Sequence, residues 1–219
     1  MRNFVFIGSP GSGKGTHADL LGAKLGILHI STGDLYRDEM SVGTPLGVAA
    51  KKLLDQGLLG TDEMTEELLR RRLALPDADD GFILDGFPRT LTQTGILEKI
   101  LRERGQSLSA AIFLKIPDLS VIARLSGRLI CAHCQRTYHI EYNPPRSAGV
   151  CDECGGTLHR RDDDRPDLIR KRLTVFHAQT EPILEYYRRE KLLVVADADA
   201  PVETVSRNIE TAVREFLRV

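Results

Sequence analysis

The sequence predicts an α/β protein, a three-layer α/β/α fold on a five-stranded parallel sheet, with a helical insertion and a small metal-braced flap. Three observations carry this. Short apolar runs of β-forming residues alternate with helical stretches along the chain. The first run, Phe4-Val5-Phe6-Ile7, passes into Gly8-Ser9-Pro10-Gly11-Ser12-Gly13-Lys14-Gly15-Thr16 where helical sequence begins. All four cysteines lie between Cys131 and Cys154, as two Cys-x-x-Cys pairs sixteen residues apart.

The glycine-rich stretch is a phosphate loop (P-loop) by spacing and context. Gly8 to Gly13-Lys14 meets the G-x-x-x-x-G-K rule, between a strand and a helix start. Glycines let successive backbone N–H groups converge on one point, the helix N-terminus adds partial positive charge, and Lys14 adds a full one. Gly15 follows the lysine, so the hydroxyl expected for magnesium comes one place late, at Thr16. The alternative is a glycine-rich turn without a ligand.

With 219 residues the chain is long enough for one α/β domain with insertions. Thirty basic and 31 acidic side chains give a formal net charge of -1, so no global field draws the protein to nucleic acid or anionic membrane. The start MRNFVFIG has no secretory pattern and no run of 18 apolar residues occurs, so a cytoplasmic protein is expected.

After the loop, His17 to Leu25 reads as a helix ended by Gly26, and Ile27 to Ile30 as a second strand. Ser31 or Thr32 can cap the next helix, with Arg37 a turn inside it, and helical sequence through Val48–Leu54 is broken by Gly57 and Gly60. Residues 31–60 thus form a helical excursion between strands. Thr61-Asp62-Glu63 caps a helix whose Arg70, Arg71 and Arg72 read as a solvated, dipole-matched face. Gly81-Phe82-Ile83-Leu84-Asp85 is a third strand, ending in a carboxylate and the turn Gly86-Phe87-Pro88-Arg89. Ligands of parallel sheets sit beyond the carboxyl ends of strands, so Asp85 and Arg89 fall on the edge of the phosphate loop. Asp85 suits outer-sphere contact with magnesium, Arg89 a phosphate, and Gln93, one turn later, a base. Ala110 to Ile116 is a fourth strand, followed by a helix expected to carry Arg124 and Arg128; Leu192 to Val195 is a fifth, followed by a helix from about Val202.

Two cysteine knuckles supply the four thiolates of a closed structural zinc site, at Cys131, Cys134, Cys151 and Cys154. Disulfides are the alternative pairing, and iron suits the same ligands. A segment of this size, about 127–164, lacks room for its own core, so metal binding supplies its folding free energy, on the order of 10 kcal/mol. Its expected role is a lid hinged near Gly127 and after Asp164. Arg124, Arg128, Arg160, Arg161, Arg170, Lys171 and Arg172 bracket those hinges. With two phosphate esters as substrates the attacking oxygen is already an anion, so catalysis is positioning plus charge stabilisation, and the lid excludes water.

The phosphate loop, His29-Ile30-Ser31-Thr32-Gly33-Asp34, Asp85-Gly86-Phe87-Pro88-Arg89-Thr90 and the two knuckles together resemble the adenylate kinase family, in its long bacterial form with a zinc lid. The resemblance covers nearly the whole chain. It implies a core of residues 1–30, 61–126 and 165–219, a monophosphate-binding domain of 31–60 and a lid of 127–164. It implies reversible transfer between Mg-ATP and AMP by a monomer that binds neither nucleic acid nor membrane. Lys14, Arg89, Arg128, Arg161 and Arg172 would be catalytic. Gly11, Ser12, Gly13, Lys14, Gly15, Thr16, Arg128, Thr137, Tyr138 and Ala200 would meet ATP. Thr32, Arg37, Leu58, Leu59, Gly60, Gly86, Phe87, Pro88, Arg89, Gln93, Arg161 and Arg172 would meet AMP. Asp85 would hold magnesium through water, and Asp163 and Asp164 would be lid carboxylates. Leu58-Leu59-Gly60-Thr61 departs from the usual Leu-Val-Pro, which bears on how the acceptor base is held. A sister kinase for UMP, CMP or GMP is the alternative within the group; a zinc-ribbon nucleic-acid module is the alternative outside it.

Overall fold

The computed structural model describes residues 2–217. In chain order the elements are β1 (Arg2–Ile7), α1 (Lys14–Leu25), β2 (Leu28–Ser31), α2 (Thr32–Val42), α3 (Pro45–Leu54), α4 (Asp62–Leu73), β3 (Gly81–Asp85), α5 (Leu91–Glu103), β4 (Ala110–Lys115), α6 (Asp118–Ser126), β5 (Arg128–Cys131), β6 (Thr137–His139), β7 (Leu158–His159), α7 (Pro166–Val175), α8 (Ile183–Arg189), β8 (Leu193–Asp197) and α9 (Val202–Phe216). A π-helical turn, Phe176–Thr180, runs α7 on towards α8.

Five strands form a parallel sheet in the order β2-β3-β1-β4-β8, with Val5 opposite Leu84 on one side and Ala111 on the other. Alternation along β1 builds the two faces. Val5 and Ile7 pack with Phe82 and Leu84 against Leu69 and Leu73 of α4, Leu97 and Leu101 of α5, and Ile183 of α8. Phe4 and Phe6 pack with Ile83, Ile112 and Leu114 against Ala18 and Leu21 of α1 and Val205, Ile209 and Val213 of α9. This is the expected three-layer arrangement. The chain changes sides of β1 between β3 and β4, which opens a crevice at the carboxyl ends of β1 and β3.

Local chemistry fixes the helix starts. Ser31, Thr44, Thr61 and Thr90 each accept a backbone N–H at the start of α2, α3, α4 and α5. The excursion 31–60 is two helices, seated on α4 through Tyr36, Ala50 and Leu68. Arg70, Arg71 and Arg72 pair with Glu66, Glu103, Glu67, Glu39 and Asp77, as a solvated face should.

Two expectations change. Arg128 lies on β5 rather than on α6, because that helix stops at Gly127. Residues 128–159 contain a second sheet, β6-β5-β7, whose side chains Leu129, Cys131, Tyr138, Cys151 and Leu158 form a small apolar cluster. The flap therefore has a core, but one in which two of the cysteines are themselves core residues. α6 and α7, on either side of it, pack on each other through Val121, Leu125, Ile169 and Leu173. Among the described residues no helix is long and apolar enough to cross a membrane.

Phe82 is fully buried between layers. Phe82→Ala is expected to cost ~3–5 kcal/mol, read as a lower urea midpoint at unchanged slope.

Candidate active site

One cavity of about 2090 Å³ occupies the crevice and extends between the excursion and the flap. At its floor the phosphate loop turns through Gly11 (φ 77°) and Gly13 (φ 92°), left-handed conformations that suit glycine. Lys14 folds back so that Nζ donates to the carbonyls of Gly8 and Ser9, both at 2.9 Å. Burial pushes its pKa down to about 8; Asp85 opposes this, while Arg89, Arg172 and Arg128 add to it.

Of the basic residues that bracket the hinges, Arg124, Arg128, Arg161 and Arg172 line this cavity together with Arg37 and Arg89, whereas Arg160, Arg170 and Lys171 are exposed outside it. Arg128 makes a two-pronged pair with Asp164, at 2.7 and 2.6 Å. Arg172 lies 3.0 Å from the Asp163 carboxylate and 3.2 Å from that of Asp164. Arg89 is anchored by Nε on the Gly86 carbonyl at 2.8 Å, and Arg37 pairs with Asp34. Arg161 has its pKa lowered to about 9 by burial and by the charges of Arg128 and Arg37. The Nε atoms of Arg37 and Arg161 are buried with no protein partner among the described residues. Unpaired buried donors in a field of like charge are what an anionic ligand satisfies.

Of the residues expected to meet nucleotide, phosphate or magnesium, all line this cavity except Ser12, Phe87 and Asp164; Asp164 is buried behind Arg128 and Arg172, and of the four cysteines only Cys134 reaches the cavity wall. Ser12 is fully buried beneath the loop, its N–H bonded to the Ser9 carbonyl, and the Phe87 side chain joins the core. Their position in a tight turn sends one side chain inward, so only the backbone remains for a ligand. Gln93 faces the cavity, but its amide is engaged: Oε1 accepts from Arg89 N–H at 2.7 Å and Nε2 donates to Asp62 at 2.8 Å. Tyr138 borders the cavity with its hydroxyl turned to Cys151 Sγ, 3.4 Å away. Asp85 stands over the start of α1: a Cβ on Gly15 would lie 3.5 Å from its Oδ2, and His29 Nε2 lies 3.9 Å away. Among the described residues no hydrogen bond from the protein reaches that carboxylate, so both its oxygens are free to accept from a ligand or its water.

Among the cavity residues that sequence reasoning missed, three have defined partners. Tyr36 hydrogen-bonds Thr65 at 2.7 Å. His17 is buried with Nδ1 3.0 Å from Ser206 Oγ, and burial plus Arg124 lower its pKa to about 4, so it is neutral at physiological pH. His139 stacks on Tyr142. Tyr36 and His17 depend on partners distant in sequence, His139 on one three residues away, and none belongs to a motif.

The four cysteine sulfurs lie within 4.8 Å of one another and none is in a disulfide. Ligands around a tetrahedral zinc are spaced by about 3.8 Å, so the donor set fits such an ion. Asp152 N–H donates to the Tyr138 hydroxyl at 2.8 Å, which leaves that hydroxyl's proton directed at Cys151. Such an outer contact orients a ligand sulfur.

The sequence profile of the adenylate kinase family matches residues 6–192. The chain belongs to the adenylate kinase family. It is 46% identical over 211 residues to an adenylate kinase of Streptomyces avermitilis, covering 96% of each chain. Identity to the Symbiobacterium thermophilum adenylate kinase is 45% over 212 residues, 97% of this chain and 98% of that one. To the Caldicellulosiruptor saccharolyticus adenylate kinase it is 43% over 205 residues, 94% and 95%. The enzyme is accordingly a nucleoside monophosphate kinase, a phosphotransferase.

Free Lys14 holds its proton below about pH 8 and loses it above. The kcat/KM for ATP is therefore expected to fall as pH rises through about 8, while kcat, which reports the phosphate-bound form, holds to higher pH. A kcat/KM profile flat to pH 9.5 would contradict this.

Proposed function

We propose that this kinase transfers the terminal phosphoryl group of ATP to AMP, with the phosphate loop as donor site and the pocket between residues 31–60 and β3 as acceptor site. The observation that carries the reading is the convergence of Lys14, Arg37, Arg89, Arg128, Arg161 and Arg172 on a single cavity. Six cations there match two polyanions meeting end to end.

The backbone of Gly11 to Thr16 cradles the donor phosphates, and Lys14 follows the transferred group. Arg37 and Arg89 hold the acceptor phosphate, so that its oxygen lies in line with the donor. Arg128, Arg161 and Arg172 neutralise charge that spreads over the transferred group. Magnesium bound with ATP supplies further neutralisation, and Asp85 orients its water shell. No side chain need remove a proton, because the attacking phosphate is already ionised. Thr137, Tyr138 and Ala200 border the donor base. Thr32, Gly86, Pro88 and Gln93, with the backbone of Leu58 to Gly60, border the acceptor base, Gln93 reading it by exchanging its bond to Asp62.

Residues 127–164 act as a lid, 31–60 as the monophosphate-binding domain and the remainder as the core. Zinc at Cys131, Cys134, Cys151 and Cys154 fixes the lid's fold. The enzyme works as a cytoplasmic monomer. Competition between water and AMP for the phosphoryl group is what closure of the lid prevents.

Coupled turnover with AMP, UMP, CMP and GMP side by side tests the reading; AMP is expected to lead, and a clear preference for UMP or CMP would replace it. Lys14→Ala is expected to remove most turnover with the circular dichroism spectrum unchanged. Elemental analysis is expected to find about one zinc per chain, and its removal to lower Tm more than nucleotide affinity.

A further inference from the structure

Gly60 sits at the end of the excursion, just before the cap of α4, with no left-handed φ among its reasons. Its reason is a neighbour. A Cβ built on Gly60 would overlap the Tyr36 hydroxyl and stand 2.5 Å from Cζ and 3.1 Å from Cε1 of the same ring. A phenol ring cannot yield there, because its hydroxyl is tied down. Thr65 donates to the Thr61 carbonyl at 2.8 Å, so its oxygen accepts from Tyr36 at 2.7 Å. Both side chains are buried, at 5% and 4% exposure, which makes this bond a fixed one.

The ring's position also matters for what the cavity can hold. Thr32 and Tyr36 are one helical turn apart on the buried face of α2, and Arg37 follows immediately. Thr32 bonds the Gly86 carbonyl at 2.9 Å beside Arg89. Tyr36 therefore stands between the arginine end of this pocket, where the charge of Arg89 reaches it, and an apolar cluster with Ala50, Leu54 and Leu68. Tyr36, Met40, Leu54, Leu59 and Gly60 all line the cavity. A flat base fits such a slot, and the ring's edge limits its width.

We propose that Tyr36 and Gly60 are a matched pair: the phenol occupies the room of the side chain that residue 60 lacks and forms the wall that selects the acceptor base. The inference rests on the assignment of this pocket to the acceptor monophosphate. It makes Tyr36 a specificity-determining residue, and Gly60 the position that admits it.

The test uses the full-length, metal-loaded enzyme at saturating Mg-ATP, with AMP and GMP as acceptors. Gly60→Val is expected to raise KM for AMP by roughly tenfold and leave KM for ATP within about twofold. Adding Tyr36→Leu to the same chain is expected to return KM for AMP to within about threefold of the parent, a coupling that independent sites do not show. Tyr36→Leu alone widens the slot and lowers the preference for AMP over GMP, in kcat/KM, by roughly tenfold. An unchanged KM for AMP in Gly60→Val, or failure of the second substitution to restore it, overturns the pairing. So does a KM for ATP that rises in step, which marks general damage. Should Gly60→Val fail to fold, the other two variants decide. If the parent prefers another monophosphate and the variants shift that preference, the choice of AMP falls and the pair stands.

Discussion

The structure is organised around a cost, the gathering of like charges out of water. Lys14, Arg37, Arg89, Arg128, Arg161 and Arg172 share one cavity, and the nearby carboxylates of Asp34, Asp85, Asp163 and Asp164 offset them only in part. Proton affinity is depressed at Lys14 and Arg161 by burial first and by neighbouring cations second, which marks that cost. Rigid anchors make it tolerable. Loop carbonyls hold Lys14, the Gly86 carbonyl holds Arg89, and Asp164 holds Arg128 and Arg172 at once. On the proposed assignment, substrate phosphates complete a neutralisation that the protein leaves unfinished, so that binding and preorganisation become one property.

The parts of the site that could be read in the sequence are those in which contiguous residues share a task. The loop from Gly8 to Thr16, the turn after Asp85 and the cysteine knuckles each hold their geometry within a few residues. The sheet was equally legible, because strands buried on both faces leave unbroken apolar runs such as Phe4 to Ile7. What could not be read depends on long reach. Tyr36 meets Thr65, Gln93 meets Asp62 and His17 meets Ser206 only once the layers are assembled. The helix assigned to Arg128 overran Gly127 because nothing local marks a β-strand of four residues.

The flap shows how little apolar material suffices when sulfur is shared between two roles. Cys131 and Cys151 contribute both to its apolar cluster and to the four clustered sulfurs of the candidate metal site, and Tyr138 packs in the first while its hydroxyl reaches the second. Apolar packing and ligand geometry therefore fail or hold together. A change at Tyr138 would disturb both, although it is not itself a ligand.

The contact between α6 and α7 carries a different implication. Those helices meet through Val121, Leu125, Ile169 and Leu173, so the two ends of the intervening stretch are held side by side by residues outside it. A brief turn could join them directly, or a cap of another make could be spliced in, without disturbing the layers beneath. The covering stretch is in that sense a self-contained cassette, set on a base that closes without it.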